Sequence, residues 1–190
     1  MKKTFLLCLL AMPFLAFSQV VTPYNTNLKM SKKGKIGKVK IDGFDDPNTT
    51  IFFIVRHAEK DTSGGTDADL NTIGRGRAQA IARIFEKVKI NNIYSTDRPR
   101  TRNTATPIAA DKKLTVEIYD AKKQKELLEK LAVQGGKHFF IVGHSNTVPQ
   151  IINILRGSDQ EKEFSELDYS RLYIVSVKKI GDAKMQLINF

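Results

Sequence analysis

Three stretches of the chain hold residues whose types could handle an oxyanion. Arg56-His57-Ala58-Glu59 directly follows the apolar run 51–55. Gly143-His144-Ser145 directly follows a second apolar run, 138–142. Between them, Arg98, Arg100 and Arg102 cluster around Pro99. A neutral imidazole is a competent nucleophile near neutral pH without a metal. Guanidinium groups bind phosphoryl oxygens bidentately. Together they suit phosphoryl transfer, a reaction that asks the protein mainly for positioning and charge stabilisation. Each stretch also has an ordinary reading: a polar strand exit, a satisfied histidine at a glycine turn, arginines pointing to solvent.

The elements that would position these residues are legible around them. Residues 51–55 (IFFIV) and 138–142 (HFFIV) read as strands buried on both faces. Ala78, Ile81, Ala82, Phe85 and Val88 recur at helical spacing after Gly74. A short strand is expected over 92–94, and a helix over 99–110 with Asp97 near its cap and Pro99 in its first turn. Further strands are expected over 114–118, 171–177 and 185–188, the last two open to an antiparallel pairing. Leu127, Leu128 and Leu131 mark a helix that ends by Gly135-Gly136, and another helix is expected from Val148 to Leu155. Strands alternating with helices predict a three-layer α/β/α sandwich around a mostly parallel sheet. Ligands bind such sheets off the carboxyl ends of the strands, where His57 and His144 both fall.

The arginine cluster then sits at a helix N-terminus. Free N–H groups and the positive dipole end favour an anion there, whereas arginines alone are unfavourable. Arg100 and Arg102 are about 200° apart around a helix, so both cannot face one pocket. His138 opens its strand at the opposite end and reads as non-catalytic.

Arg56-His57-Ala58-Glu59-Lys60, Leu70-x3-Gly74-x3-Ala78, Ser95-x4-Arg100-x3-Thr104-Ala105 and Gly143-His144 follow one another in an order that resembles the histidine phosphatase superfamily, the phosphoglycerate-mutase-like group, in its small branch. The resemblance covers about residues 51 to 155. It implies a phosphoglycerate-mutase-like fold and a metal-independent phosphatase without cofactor, working on a small phosphorylated substrate. It implies His57 as the nucleophile that forms a phosphohistidine. Arg56, Arg100, His144 and Ser145 would contact the phosphate, the spacing from Ser95 selecting Arg100 over Arg98 and Arg102. Leu70, Gly74 and Ala78 would be structural. A leaving alkoxide needs a proton. Asp120, at the end of the strand over 114–118, is the first candidate for general acid and Glu126 the second. The His144-Ser145 pair differs from the His-Asp of the phytase-like branch. Contacts beyond the phosphate are expected from the loops 60–70 and 157–168. A phosphohistidine protein phosphatase and a non-catalytic phosphate- or anion-binding domain on the same fold are the alternative readings.

The N-terminus has the pattern of a secretory signal peptide: Lys2 and Lys3, an apolar run over 4–17, and the small residues Ala16 and Ser18 before Gln19. The run is shorter than the roughly 20 residues that span a bilayer, and it holds Pro13, so no stable membrane anchor is expected. The expected organisation is a cleaved signal over 1–18, an N-terminal arm or hairpin over 19–48, and one domain over 49–190. The product would be periplasmic or secreted. Cys8, the one cysteine, would leave with the signal, so no disulfide or cysteine-ligated metal is expected. Hydrophobic content of 41% and charged content of 27% fit a soluble domain of 190 residues. Net charge is +11, and loss of Lys2 and Lys3 lowers it to +9. Anionic partners fit that balance. Nucleic acid fits less well, because the lysine-rich stretch 29–40 contains no aromatic residue for base stacking. Nothing in the sequence fixes the oligomeric state.

Overall fold

A computed structural model describes residues 24, 25 and 27–190 of the chain. The signal peptide expected over 1–18 lies outside the described residues. A two-stranded antiparallel hairpin comes first, β1 (Lys35–Ile36) and β2 (Val39–Lys40). Its surroundings are not a detached arm: Met30, Ile36, Ile41 and Phe44 are buried in the main core.

The main sheet has six strands: β3 (Thr50–Arg56), β4 (Asn92–Ser95), β5 (Val116–Ile118), β6 (His138–Gly143), β7 (Arg171–Lys179) and β8 (Asp182–Asn189). They lie in the order β5-β4-β6-β3-β7-β8. The first four are mutually parallel, and β7 and β8 run antiparallel at one side. Every residue of β3 and β6 is buried, as continuous apolar strands in the middle of a covered sheet must be. Period-two alternation sends their side chains to two cores. Phe53, Val55, Phe140 and Val142 pack with Ile81, Phe85 and Ile108 of the segment holding α1 (Thr72–Ile84) and α2 (Pro99–Lys112). Phe52, Ile54, Phe139 and Ile141 pack on the other face with Leu128 of α3 (Gln124–Ala132) and Val148, Ile151 and Leu155 of α4 (Thr147–Arg156). The result is an α/β/α sandwich around a mostly parallel sheet.

Most element ends differ from the sequence reading by a few residues, and three of the boundaries near the site have a clear cause. α1 begins at Thr72, with Asn71 capping the Gly74 N–H, so Gly74 lies inside the helix. A Cβ at Gly74 would stand 2.2 Å from the Glu59 carbonyl oxygen, so glycine lets this turn press against the Glu59 backbone. α2 continues to Lys112 and closes through Lys113 in a left-handed conformation. The Leu114 N–H is drawn back to the Ala109 carbonyl, which delays β5 until Val116.

The carboxyl ends of the four parallel strands deliver Arg56-His57, Thr96, His144 and Asp120 to one edge. Because β7 is antiparallel and pairs Leu172 with Val55, the loop before it, 157–170, arrives at that same edge.

Candidate active site

Arg56, His57, Arg100, His144 and Ser145 line one cavity of about 350 Å³, with Lys60, Arg98, Asn146, Glu163 and Glu166 completing its wall. Residues nearly ninety apart in sequence are brought together by β3 and β6 lying side by side. The rings of His57 and His144 are 5.4 Å apart, edge to face.

The tautomer of His57 follows from its neighbour. Its Nδ1 lies 2.8 Å from the Ala58 carbonyl oxygen, which can only accept, so Nδ1 carries the proton and Nε2 keeps its lone pair. Burial, with Arg56, His144 and Arg100 adding repulsion, pushes the His57 imidazole down to about 3 despite the favourable Ala58 contact. Burial and the charges of Arg100 and Arg56 push His144 down to about 4. Both rings are therefore neutral near pH 7. The Ala58 N–H is held by Thr104 Oγ1 at 2.9 Å, and that hydroxyl donates in turn to the Arg100 carbonyl at 2.7 Å. Thr104 of α2 thus fixes the peptide that follows the nucleophile candidate.

His144 Nε2 lies 2.9 Å from Thr96 Oγ1. Thr101 spends its hydroxyl proton on the Thr96 and Arg98 carbonyls and accepts from Thr96 at 3.1 Å. With the Thr96 proton so used, Thr96 accepts from His144, and the proton on His144 sits on Nε2.

Arg56 is buried, and the loop 157–170 grips it. Its Nη1 donates to the carbonyls of Ser165 at 2.8 Å and Asp168 at 3.2 Å. Its guanidinium lies over the Tyr169 ring at 4.3 Å. Arg100 donates through Nη1 to the Thr66 carbonyl at 2.9 Å. The Nε atoms of Arg56 and Arg100 are both buried and find no acceptor among the described residues. Arg102 stays outside the cavity and pairs with Asp97 at 2.8 Å.

Asp120 lies elsewhere. Its carboxylate accepts from the Lys122 N–H at 2.8 Å, and it lines a neighbouring cavity of about 540 Å³. That cavity adjoins the first through Arg98, His144 and Asn146. Glu126, exposed in the first turn of α3, lines neither. His138 is buried at the far end of β6, its ring nitrogens 3.0 Å from the Lys89 carbonyl and 3.2 Å from the Phe44 carbonyl. Among the described residues, no group of three His, Cys, Asp or Glu is placed to hold a metal ion.

Sequence reasoning passed over Thr96, Arg77, Glu163 and Glu166. Arg77 is the buried partner of Glu59, which it meets at 2.8 Å, and it also binds the Phe190 carbonyl at 3.2 Å. An arginine on the apolar face of α1, repeating with Ala78 and Ile81, was the available signal for that clasp. Nothing in the local pattern of 157–170 sets Glu163 and Glu166 apart from Glu161.

Residues 52–122 match the family model of the histidine phosphatase superfamily, branch 1. Phosphoglycerate mutase-like protein 4 of Arabidopsis thaliana is 37% identical over 73 residues, which are 35% of this chain and 32% of that protein. The chain thus matches about a third of that relative's length. The fold is similar to that of the protein histidine phosphatase SixA, solved with tungstate (TM-score 0.62, 18% identity, 73% of this chain and 96% of that one). It is similar also to a phosphoserine phosphatase of Entamoeba histolytica, solved with 3-phosphoglyceric acid (TM-score 0.59, 18% identity, 74% and 97%). The matched segment 52–122, the order of the motifs and the sheet topology together make this chain similar to the histidine phosphatase superfamily, branch 1.

Proposed function

We propose that this protein is a metal-independent phosphatase that hydrolyses phosphate monoesters through a phosphohistidine on His57. The observation that carries the reading is that Arg56 and Arg100 both line the cavity beside His57, and that each guanidinium keeps a buried Nε–H with no acceptor among the described residues. A buried donor left without an acceptor costs about 1–3 kcal/mol. Two guanidiniums with donors to spare beside a neutral imidazole suit a cradle for phosphoryl oxygens.

In this reading His57 Nε2 attacks phosphorus in line while the bond to the ester oxygen breaks. Arg56 and Arg100 take up charge on the equatorial oxygens. His144 exchanges Thr96 for an oxyanion as the partner of its Nε2–H, and Ser145 turns its hydroxyl from Glu163 to another oxygen. Asp120 gives the proton to a leaving group that extends past His144 into the adjoining cavity. Water then displaces His57 from phosphorus, and inorganic phosphate leaves. Four cationic side chains around two neutral histidines supply the electrostatic role that a metal fills elsewhere.

The signal-like N-terminus supports export, with the mature chain beginning at Gln19. Hydrolysis of p-nitrophenyl phosphate in the presence of EDTA tests the proposal. Activity lost with EDTA and restored by a divalent ion would contradict it.

A further inference from the structure

The phosphate cradle contains two carboxylates that the chemistry above does not use. Glu163 accepts from Ser145 Oγ at 3.1 Å through one oxygen. Glu166 stands 3.1 Å from Lys60 Nζ and 3.4 Å from Arg56 Nη2. Lys60 holds the Glu166 carboxyl below the ordinary range, so it is ionised near pH 7. An anion-binding cavity gains nothing for phosphate affinity from negative side chains, and their presence calls for another reason.

Charge counting supplies one. The cavity wall sets Arg56, Lys60, Arg98 and Arg100 against Glu163 and Glu166, an excess of two positive charges. Arg98 is moreover paired with Asp67 outside the cavity, so two is an upper value. A phosphate monoester near pH 7 carries about −1.5 to −2. The phosphate group alone therefore balances the cavity. A second negative charge close to the ester oxygen, even on a leaving group that runs past His144, starts within the first cavity, where two carboxylates stand with no spare cation. Both glutamates are exposed, so the repulsion acts at an intermediate dielectric. A neutral or cationic leaving group meets no such penalty. Discrimination by an unfavourable element is a common way to build specificity.

We propose that Glu163 and Glu166 restrict this site to phosphate monoesters whose leaving group bears no further negative charge: phosphorylated alcohols, sugars and amino alcohols, with esters of hydroxy acids and bisphosphates excluded. This rests on the phosphatase reading of the cavity and adds the substrate class.

Three small esters of similar size separate the classes: 2-aminoethyl phosphate, ethyl phosphate and carboxymethyl phosphate. Their dissociation constants are measured by calorimetry on the full chain carrying His57→Ala, which removes turnover, with and without Glu163→Gln plus Glu166→Gln. Ratios between esters are read, so general weakening of the fold or of phosphate binding cancels. A unit charge felt across a few ångströms at intermediate dielectric is worth about tenfold in affinity. The preference for 2-aminoethyl over carboxymethyl phosphate should accordingly fall about tenfold or more in the doubly neutralised protein, with ethyl phosphate between. Glu161→Gln, in the same loop but paired with Arg156 outside the cavity, should leave the ratio unchanged. A ratio within twofold of the parent's, or an equal shift from Glu161→Gln, would overturn the assignment. Absence of saturable binding by any of the three would overturn this inference and the phosphate site together. If the intact protein turns over none of the esters, nor an aryl phosphate, the phosphatase reading fails by itself, while the binding ratios still decide the charge question.

Discussion

His57 gives its Nδ1 proton to the carbonyl of Ala58, its own chain neighbour, at 2.8 Å. A backbone acceptor one residue away cannot swing aside as a carboxylate side chain could, and Thr104 pins the same residue through its N–H. The nucleophilic edge of the ring is thus fixed by covalent proximity and one helix hydroxyl. Thr104→Val should keep the fold and remove that pin. We expect kcat to fall about tenfold with KM little changed, since positioning of the attacking atom is lost and the phosphate contacts are kept. A rise in KM at constant kcat would place Thr104 in ground-state binding instead.

Burial of two neutral histidines makes stability depend on pH. Their folded values, about 3 for His57 and about 4 for His144, lie below the ordinary 6.5. Between those limits the unfolded chain binds more protons than the folded one. The stabilisation is full above about pH 6.5 and is lost as pH falls, by up to about 1.4 kcal/mol per pH unit for each ring. Urea midpoints at pH 7, 5.5 and 4.5 should decline, and His57→Asn should flatten the decline. An unchanged slope in that variant would mean that His57 is not held neutral by the fold.

The two arginines of α2 make a direct comparison. Arg100 lines the His57 cavity and Arg102 pairs with Asp97 outside it. Arg100→Ala should cost about 2–4 kcal/mol of transition-state stabilisation, or about 30- to 1,000-fold in kcat/KM. Arg102→Ala should stay within a few-fold. Equal losses would mean that the cradle is not built around Arg100.

How much of this was legible in the sequence differs from element to element. Continuous apolar runs made β3 and β6 readable, because a strand covered on both faces leaves no polar positions. His57 and His144 could be placed at one edge because they follow directly on those runs. The opposite sides of Arg100 and Arg102 followed from helical geometry alone. Contacts between segments distant in the chain were not readable. Arg56 is held by the Ser165 and Asp168 carbonyls, which carry no side-chain signature. Glu163 and Glu166 reach the cavity only because β7 runs antiparallel beside β3. Gly74 reads as the residue before a helix, and only its approach to the Glu59 backbone explains its place inside one.

Asp120 lines the cavity beside His144 and caps a turn through Lys122. As proton donor it should matter only when the leaving group is a poor one. Asp120→Asn should lower kcat on an alkyl phosphate by about 10²–10⁴ and leave p-nitrophenyl phosphate within a few-fold, since nitrophenolate departs without a proton. Equal losses on both substrates would assign Asp120 to structure.

The central claim is the covalent one, that phosphorus passes to His57 and not to His144. Labelled substrate, quenched rapidly without acid and followed by peptide mapping, reads it directly. Label should appear on the peptide holding His57, be lost in acid and persist in base, vanish in His57→Ala, and remain at position 57 in a slowed His144→Ala protein. Label on His144, on Asp120 or on a serine would contradict the assignment.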